Sequence, residues 1–196
     1  MLLSLVIICV LAGAILAGVY LITKEPIAIA KSEALKDAIK KVTPEFDNDP
    51  IADAYKAVTS DNDSLLIYPA KQNGEIVGVA VESNTKEGFS GEIWVLVGFT
   101  PTGEIENYWV LEHAETPGLG SKMQQWFRTD KNNQSVIGKS LAKGNLEVSK
   151  DGGEVDAITA STISSRAFLN AINRAYSAYR GTDATTDVTS AATSMN

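Results

Sequence analysis

DAITASTISSRAFLNAINRAYSAYRG, residues 156–181, changes character halfway along. From Ile163 onward, Ala167, Phe168, Ala171, Ile172, Ala175, Tyr176 and Tyr179 recur at helical spacing, with Arg180 in the last turn and Gly181 as the expected stop. This predicts an amphipathic helix that lays one apolar stripe on a partner surface. Upstream, Thr159, Ser161, Thr162, Ser164 and Ser165 place five hydroxyls in seven residues, just before and within the first turn. Two readings stand side by side. Ser and Thr are good N-caps because their oxygens accept from the free N–H groups of a first turn. One cap needs only one hydroxyl, and several of them beside small Ala157 and Ala160 also suit a seat for an anionic group, which helix N-termini attract.

The partner surface comes from the middle of the chain. LLIYPA from Leu65 and IVGVAVES from Ile76 flank Asn73-Gly74, the strongest short hairpin signal, because both residues tolerate the positive φ of a type I′ turn. IWVLVGFT from Ile93 and IENYWVL from Ile105 form a second pair around Pro101-Thr102-Gly103-Glu104. Two hairpins imply an antiparallel sheet. SKMQQWFR from Ser121 suggests a short helix and NLEVSK from Asn145 a further strand. The expected fold class is therefore α+β: a mostly antiparallel sheet with helices packed against it, behind a single N-terminal transmembrane helix.

That N-terminal helix is read from residues 1–23, MLLSLVIICVLAGAILAGVYLIT, which contain no charged side chain. About 20 residues of helix cross the roughly 30 Å hydrocarbon core. A cleavable signal would show a basic start, a shorter apolar stretch and a small-residue cleavage site after it, whereas here the small residues lie inside the run, so a retained anchor is expected. Residues 24–60 read as an amphipathic helical linker region, with Ile27, Ala30, Ala34, Leu35, Ala38, Ile39 and Val42 at helical spacing, Pro26 opening the helix and Pro44 ending it. Residues 61–180 form the expected globular domain. The last segment, 181–196, has almost no large apolar side chain and reads as a disordered tail.

Composition excludes several classes. A formal net charge of −7 without a basic patch argues against nucleic acid. Cys9 is the single cysteine, so there is no disulfide framework, and with His113 as the single histidine no metal site is expected. No G-x-S-x-G elbow supports a serine hydrolase. Trp94, Trp109 and Trp126 read as core or interface residues, and His113 as a turn residue.

A second unusual stretch is EHAETPGLGSK, residues 112–122, where Pro117, Gly118 and Gly120 form a tight turn after a predicted strand. As a plain strand-to-helix connection it needs only Ser121 as a cap. It matches neither G-x-G-x-x-G after a strand nor G-x-x-x-x-G-K-[ST]. ETPGLG followed some forty residues later by DAITASTISS resembles the FMN-binding domain of the G subunit of Rnf electron-transport complexes, and of the related C subunit of sodium-translocating NADH:quinone reductases. The resemblance runs from the anchor to the final helix. It implies FMN joined through its phosphate to the hydroxyl of Thr162, in a pattern that Asp156, Thr159, Ala160 and Ser161 lead into. The more familiar Gly-Ala before that threonine is Ala160-Ser161 here.

The resemblance further implies Glu115, Thr116, Gly118 and Leu119 beside the isoalloxazine ring, with Thr159, Ser161, Ser164, Ser165 and Arg166 around the phosphate. A threonine hydroxyl is a poor nucleophile near neutral pH, so a separate flavin transferase is expected as a maturation partner. The implied role is that of a redox subunit in an ion-translocating ferredoxin:NAD oxidoreductase, working beside iron-sulfur and flavin subunits, and without complete activity alone. The C subunit of the quinone reductase and a flavin-binding membrane regulatory module are the alternatives. Relatives place the flavin domain outside the cytoplasmic membrane, while Lys24 and Lys31 lean weakly the other way; a start codon placed too far downstream would reconcile the two.

Overall fold

In the computed structural model, residues 2–59 and 63–183 are described. The described chain divides into two compact units, one ending at Asp37 and the other beginning at Ala38. The first unit belongs to one helix, α1 (Leu2–Val42), whose last turn belongs to the second unit. At about 1.5 Å per residue its 41 residues extend roughly 60 Å. Its apolar part has a mean hydropathy of 2.9 in the best window and none of that window is buried, so it is long and apolar enough to cross a membrane.

The helix start expected at Pro26 is not there: α1 runs through that residue without interruption. Proline removes one intrahelical bond but holds φ in the helical range, and strongly helical segments on both sides carry the helix past it. The expected linker helix is thus the continuation of the anchor helix. Of its apolar stripe only Ala38, Ile39 and Val42 are buried, while Ile27 is exposed. The helix ends at Val42, two residues before Pro44, and the Thr43 hydroxyl donates to the Ile39 carbonyl at 2.8 Å.

The second unit is built on a five-stranded antiparallel meander: β1 (Tyr55–Val58), β2 (Ser64–Gln72), β3 (Glu75–Thr85), β4 (Ile93–Phe99) and β5 (Ile105–His113), paired in sequence order. Asn73 and Gly74 take φ of 53° and 84°, the positive pair expected of the first hairpin. β1 falls inside the region read as a helical linker; at four residues, with only Ala57 buried, it carries too short an alternation to be seen in sequence. After β5 come the short helix α2 (Met123–Trp126) and then, at the end of the described chain, α3 (Thr162–Asp183).

The strand expected from Asn145 does not form. Val148 makes a single bridge to Val155, and a one-turn 3-10 helix over Ser149–Asp151 follows. Gly152 and Gly153 reverse the chain at once; Gly152 has φ of 92°, and a Cβ on Gly153 would lie 2.1 Å from the Glu147 carbonyl oxygen. α3 also passes through Gly181 to Asp183 instead of stopping there, since a glycine at a helix end permits termination without forcing it. The rest of the segment read as a tail, 184–196, lies outside the described residues.

The sheet is covered on both faces. α3 buries Ala167, Phe168, Ala171, Ile172, Ala175 and Ala178 against one face, in a core with Val81, Val95, Val97 and Phe99. The Ser83 hydroxyl donates to the Ala171 carbonyl at 2.8 Å and pins the helix to β3. On the other side the last turn of α1 approaches β4 so closely that only glycine fits at position 98. A Cβ there would stand 1.7 Å from the Val42 carbonyl oxygen. Asn107 caps the same helix end by donating to the Lys41 carbonyl at 2.8 Å, and the Lys41 ammonium lies over the Trp109 ring, 3.9 Å from its centre.

Gly98→Ala is therefore expected to destabilise the second unit by about 2–4 kcal/mol. Gly74→Ala, with a positive φ but nothing within 4 Å of the added methyl, should cost only about 1–2 kcal/mol. Denaturant unfolding of the two variants, followed by tryptophan fluorescence, checks the order; equal losses would mean that the α1–β4 approach is slack.

Candidate functional site

Three segments meet where α3 begins: the loop between β3 and β4, the turn after β5, and residues 158–165. Glu115 holds them together. Its carboxyl is buried, with 4% of the residue exposed, and accepts from the Ser164 hydroxyl at 2.5 Å and from the Ser90 backbone N–H at 3.0 Å. A buried carboxyl without such partners would be costly. Two glycines make room for it. A Cβ on Gly120 would lie 2.5 Å from Glu115 Oε2 and 2.6 Å from Ser164 Oγ, and one on Gly88 2.9 Å from Glu115 Oε1. His113 completes the turn, its Nδ1 accepting from the Glu115 N–H at 3.2 Å.

The turn of the ETPGLG stretch is closed by the Thr116 carbonyl, which accepts from the N–H of Leu119 at 3.1 Å and more loosely from that of Ser121 at 3.4 Å. Gly118 has φ of 77°, and its N–H donates to the Ser121 hydroxyl at 2.9 Å. Ser121 thus stabilises the turn itself, and no side chain caps the short helix that follows.

The entry into α3 is another tight turn. The Ser161 N–H donates to the Ile158 carbonyl at 3.0 Å, and Ala160 between them has φ of 62°, a conformation glycine adopts without cost. The small residue that the family pattern places there is explained by this backbone. Asp156 organises the approach: Oδ1 accepts from the Ser149 hydroxyl at 3.0 Å, its N–H donates to the Asn133 carbonyl, and its own carbonyl accepts from the Trp126 indole at 2.8 Å.

The capping reading of the five hydroxyls does not hold. No side chain among the described residues accepts from the backbone N–H of Thr162, Ile163 or Ser164. Two of the hydroxyls expected at a phosphate are used internally. Ser164 is committed to Glu115, and Ser165 accepts from the Ile158 N–H at 2.9 Å while donating to the Ser161 carbonyl at 2.9 Å. Both are buried. Arg166, also expected there, is clamped by Asp151 through two bonds of 2.6 Å, and the same guanidinium holds the Asp151 carboxyl below the usual carboxylate range.

Thr162 is the first residue of α3 and half-buried. It lines a cavity of about 320 Å³ together with Phe89, Glu115, Thr116, Leu119, Gly120, Ala160, Ser161, Ile163 and Ser164, at the lower end of the range for small-molecule sites. Of the residues expected around a cofactor, Glu115, Thr116, Leu119, Ser161, Thr162 and Ser164 therefore come together, whereas Gly118, Thr159, Ser165 and Arg166 do not line the space. Thr159 is exposed on the turn. Phe89, Ile163 and Lys150 were missed by sequence reasoning. Phe89 is 67% exposed and Ile163 49%, a cost that an apolar ligand lying between them would relieve. The Lys150 ammonium donates to the Thr162 hydroxyl at 3.1 Å. Its Lys-Asp-Gly-Gly setting carries no motif-level signal, and only the fold brings it there. A larger cavity of about 470 Å³, around Lys139, Lys143, Leu146 and Glu154, shares no lining residue with this one.

The cavity thus combines apolar walls from Phe89, Leu119 and Ile163 with the first turn of α3, and residues 88–177 match the FMN-binding domain family. Beyond that domain, most of the chain is similar to proteins named as the G subunit of the ion-translocating oxidoreductase complex. One from Aliivibrio fischeri (strain MJ11) is 33% identical, the match covering 91% of this chain and 88% of the relative. One from Haemophilus influenzae (strain PittEE) is 34% identical over 85% and 83%, and one from Photorhabdus laumondii 34% over 87% and 85%. The chain belongs to the G-subunit family of ion-translocating oxidoreductase complexes.

Ala160→Gly should stabilise the protein by about 1 kcal/mol by relieving the left-handed backbone. Gly120→Ala should break the Glu115–Ser164 bond and cost about 2–4 kcal/mol. Melting temperatures of the two variants moving in opposite directions check both.

Proposed function

We propose that this chain is the membrane-anchored flavoprotein subunit of an Rnf-type ion-translocating ferredoxin:NAD oxidoreductase, carrying FMN as a phosphoester on Thr162. Family membership supports the coarser part, a redox subunit of a multi-subunit complex with FMN as cofactor. One observation carries the finer part: Thr162 opens a helix whose first-turn N–H groups have no protein acceptor among the described residues, and its hydroxyl borders the cavity. These donors and the helix dipole favour a phosphate at that position.

The chain's residues divide the work. The N–H groups of Thr162, Ile163 and Ser164 hold the phosphate. Phe89, Leu119 and Ile163 offer apolar walls to a flat ring system, and the Thr116–Gly120 turn brings main chain against it. Glu115 keeps loop, turn and helix in register instead of serving as a free ligand, since both of its oxygens already have donors. FMN, when bound, supplies one-electron redox chemistry between donors and acceptors held by neighbouring subunits. α1 fixes the protein at a bilayer, with the flavin domain on the extracytoplasmic face. Other subunits of the complex and, during maturation, a flavin transferase are the partners of this role.

Mass spectrometry of the protein from its native membrane tests the assignment. The peptide containing Thr162 should carry an adduct of roughly 440 Da, and Thr162→Ala should lack it while keeping the wild-type melting behaviour. An unmodified Thr162 in a host that flavinylates other proteins would overturn the reading.

A further inference from the structure

We infer that Lys150 is the cation that prepares Thr162 for modification and neutralises the phosphodiester once it has formed. The inference rests on the reading of Thr162 as the attachment point. Two cations lie close to the start of α3, and the sequence favours the wrong one. Arg166 is one helical turn from Thr162, but both arms of its guanidinium are held by Asp151 at 2.6 Å. Lys150, which the sequence does not flag, places its ammonium 3.1 Å from the Thr162 hydroxyl oxygen.

The local charge is consistent with this division. Arg166 is bonded through both arms to Asp151, whereas the hydrogen bond of Lys150 goes to Thr162. A phosphodiester carries one negative charge. Attaching FMN through Thr162 would place that charge beside the Lys150 ammonium without rearranging the Asp151–Arg166 pair. Lysine suits the task because its compact charge sits on a flexible stem, which can follow the oxygen as it passes from alcohol to ester. The backbone carrying Lys150 is fixed, since the 3-10 turn Ser149–Asp151 is bonded to Asp156 through the Ser149 hydroxyl and closed by Gly152 and Gly153.

The step itself is a phosphoryl transfer from a flavin phosphoanhydride, presented by the transferase. The Thr162 hydroxyl gives its proton to a base of the transferase, and the bond from Oγ1 to the flavin-bearing phosphorus forms. The anhydride P–O bond breaks, and the leaving phosphate departs with the electron pair. Nothing is oxidised or reduced. Lys150 acts at two points: its N–H bond to Oγ1 favours the developing alkoxide and fixes the rotamer of the side chain, and its charge meets the phosphate oxygens as negative charge builds on them. The three free N–H groups of α3 are fixed dipoles, and Lys150 adds the full charge.

The test uses the full-length protein in detergent, incubated with a flavin transferase and its flavin dinucleotide substrate, with the adduct followed by intact mass. Lys150→Met is expected to slow modification about tenfold or more, the effect of one charge-assisted hydrogen bond, and Lys150→Arg to restore most of the rate. Raising ionic strength should slow the wild type more than Lys150→Met, because the variant has lost the screened attraction. Melting temperatures of all three should agree, as Lys150 is exposed. Modification of Lys150→Met at the wild-type rate, with Thr162→Ala unmodified, would overturn the role of Lys150 and leave the attachment site standing. A slow Lys150→Arg with the salt dependence of Lys150→Met would also overturn it, by showing that the lysine's shape and not its charge matters. A wild-type chain modified elsewhere than Thr162 would remove the attachment reading and this role with it.

Discussion

The rotational register of α3 on the sheet governs everything at the site. Phe168 sets it: its ring stacks on Phe127 at 4.6 Å with the planes 5° apart, and meets Tyr108 edge-on at 4.8 Å. All three rings are fully buried. Such pairs are worth about 0.5–1.5 kcal/mol each beyond the area they bury. Tyr108 is held in turn by its hydroxyl, which donates to the Met123 carbonyl at 2.6 Å, and burial raises its phenol well above its ordinary range, so it remains a donor. With Phe168 fixed inward, the helical period turns Ser161, Ser164 and Ser165 toward the protein and leaves Ile163 and Arg166 exposed. Thr162 falls on the boundary, bonded to the protein yet open to solvent. A rotation of one residue would bury the threonine or strand it.

This register explains why so many hydroxyls stand in so short a stretch. They divide by direction. Those pointing inward replace missing polar partners in a crowded junction: Ser164 satisfies a buried carboxyl, and Ser165 ties Ile158 to the Ser161 carbonyl. Larger residues could not occupy the same space, as the closeness of Gly120 to both Glu115 and Ser164 makes plain. The helix N-terminus is left uncapped as a result, because the hydroxyls that could have capped it are aimed elsewhere. An uncapped first turn costs about 1 kcal/mol in an ordinary helix, and here it coincides with Thr162, which lines the cavity.

Periodicity made much of the fold legible. The two hairpins, the short helix near Met123 and the apolar stripe of α3 all follow from local pattern, and Asn73-Gly74 takes the turn its residues favour. What escaped depends on contacts distant in sequence or on very short elements. β1 has four residues and one buried side chain, NLEVSK looks like a strand but is stopped by Gly152-Gly153, and Pro26 lies inside α1 instead of opening a second helix. At the site, Thr162 and the glycine turn were visible because residue type and spacing mark them. The partners of Ser164, Ser165 and Arg166 were not, since Glu115 and Asp151 reach them only after folding. Lys150 is the clearest case, a residue without local signal that the chain reversal at Gly152 brings to the threonine hydroxyl.

The openness of the cavity bears on why a covalent bond suits the proposed role. Its apolar walls remain exposed, Leu119 at 39% and Phe89 and Ile163 more so, and its volume is at the small end for a ligand site. A ring lying there would keep much of its surface in water, so reversible affinity from burial would be modest. Deepening the pocket would strengthen binding but would also separate the ring from any partner that must exchange electrons with it. The proposed phosphoester to Thr162 would remove the conflict: the cofactor would become part of the chain, its encounter with the pocket would be intramolecular, and weak contacts would be enough to orient it. In that reading the site could stay shallow, the helix terminus and Lys150 taking the charged end while Phe89, Leu119 and Ile163 would guide the ring.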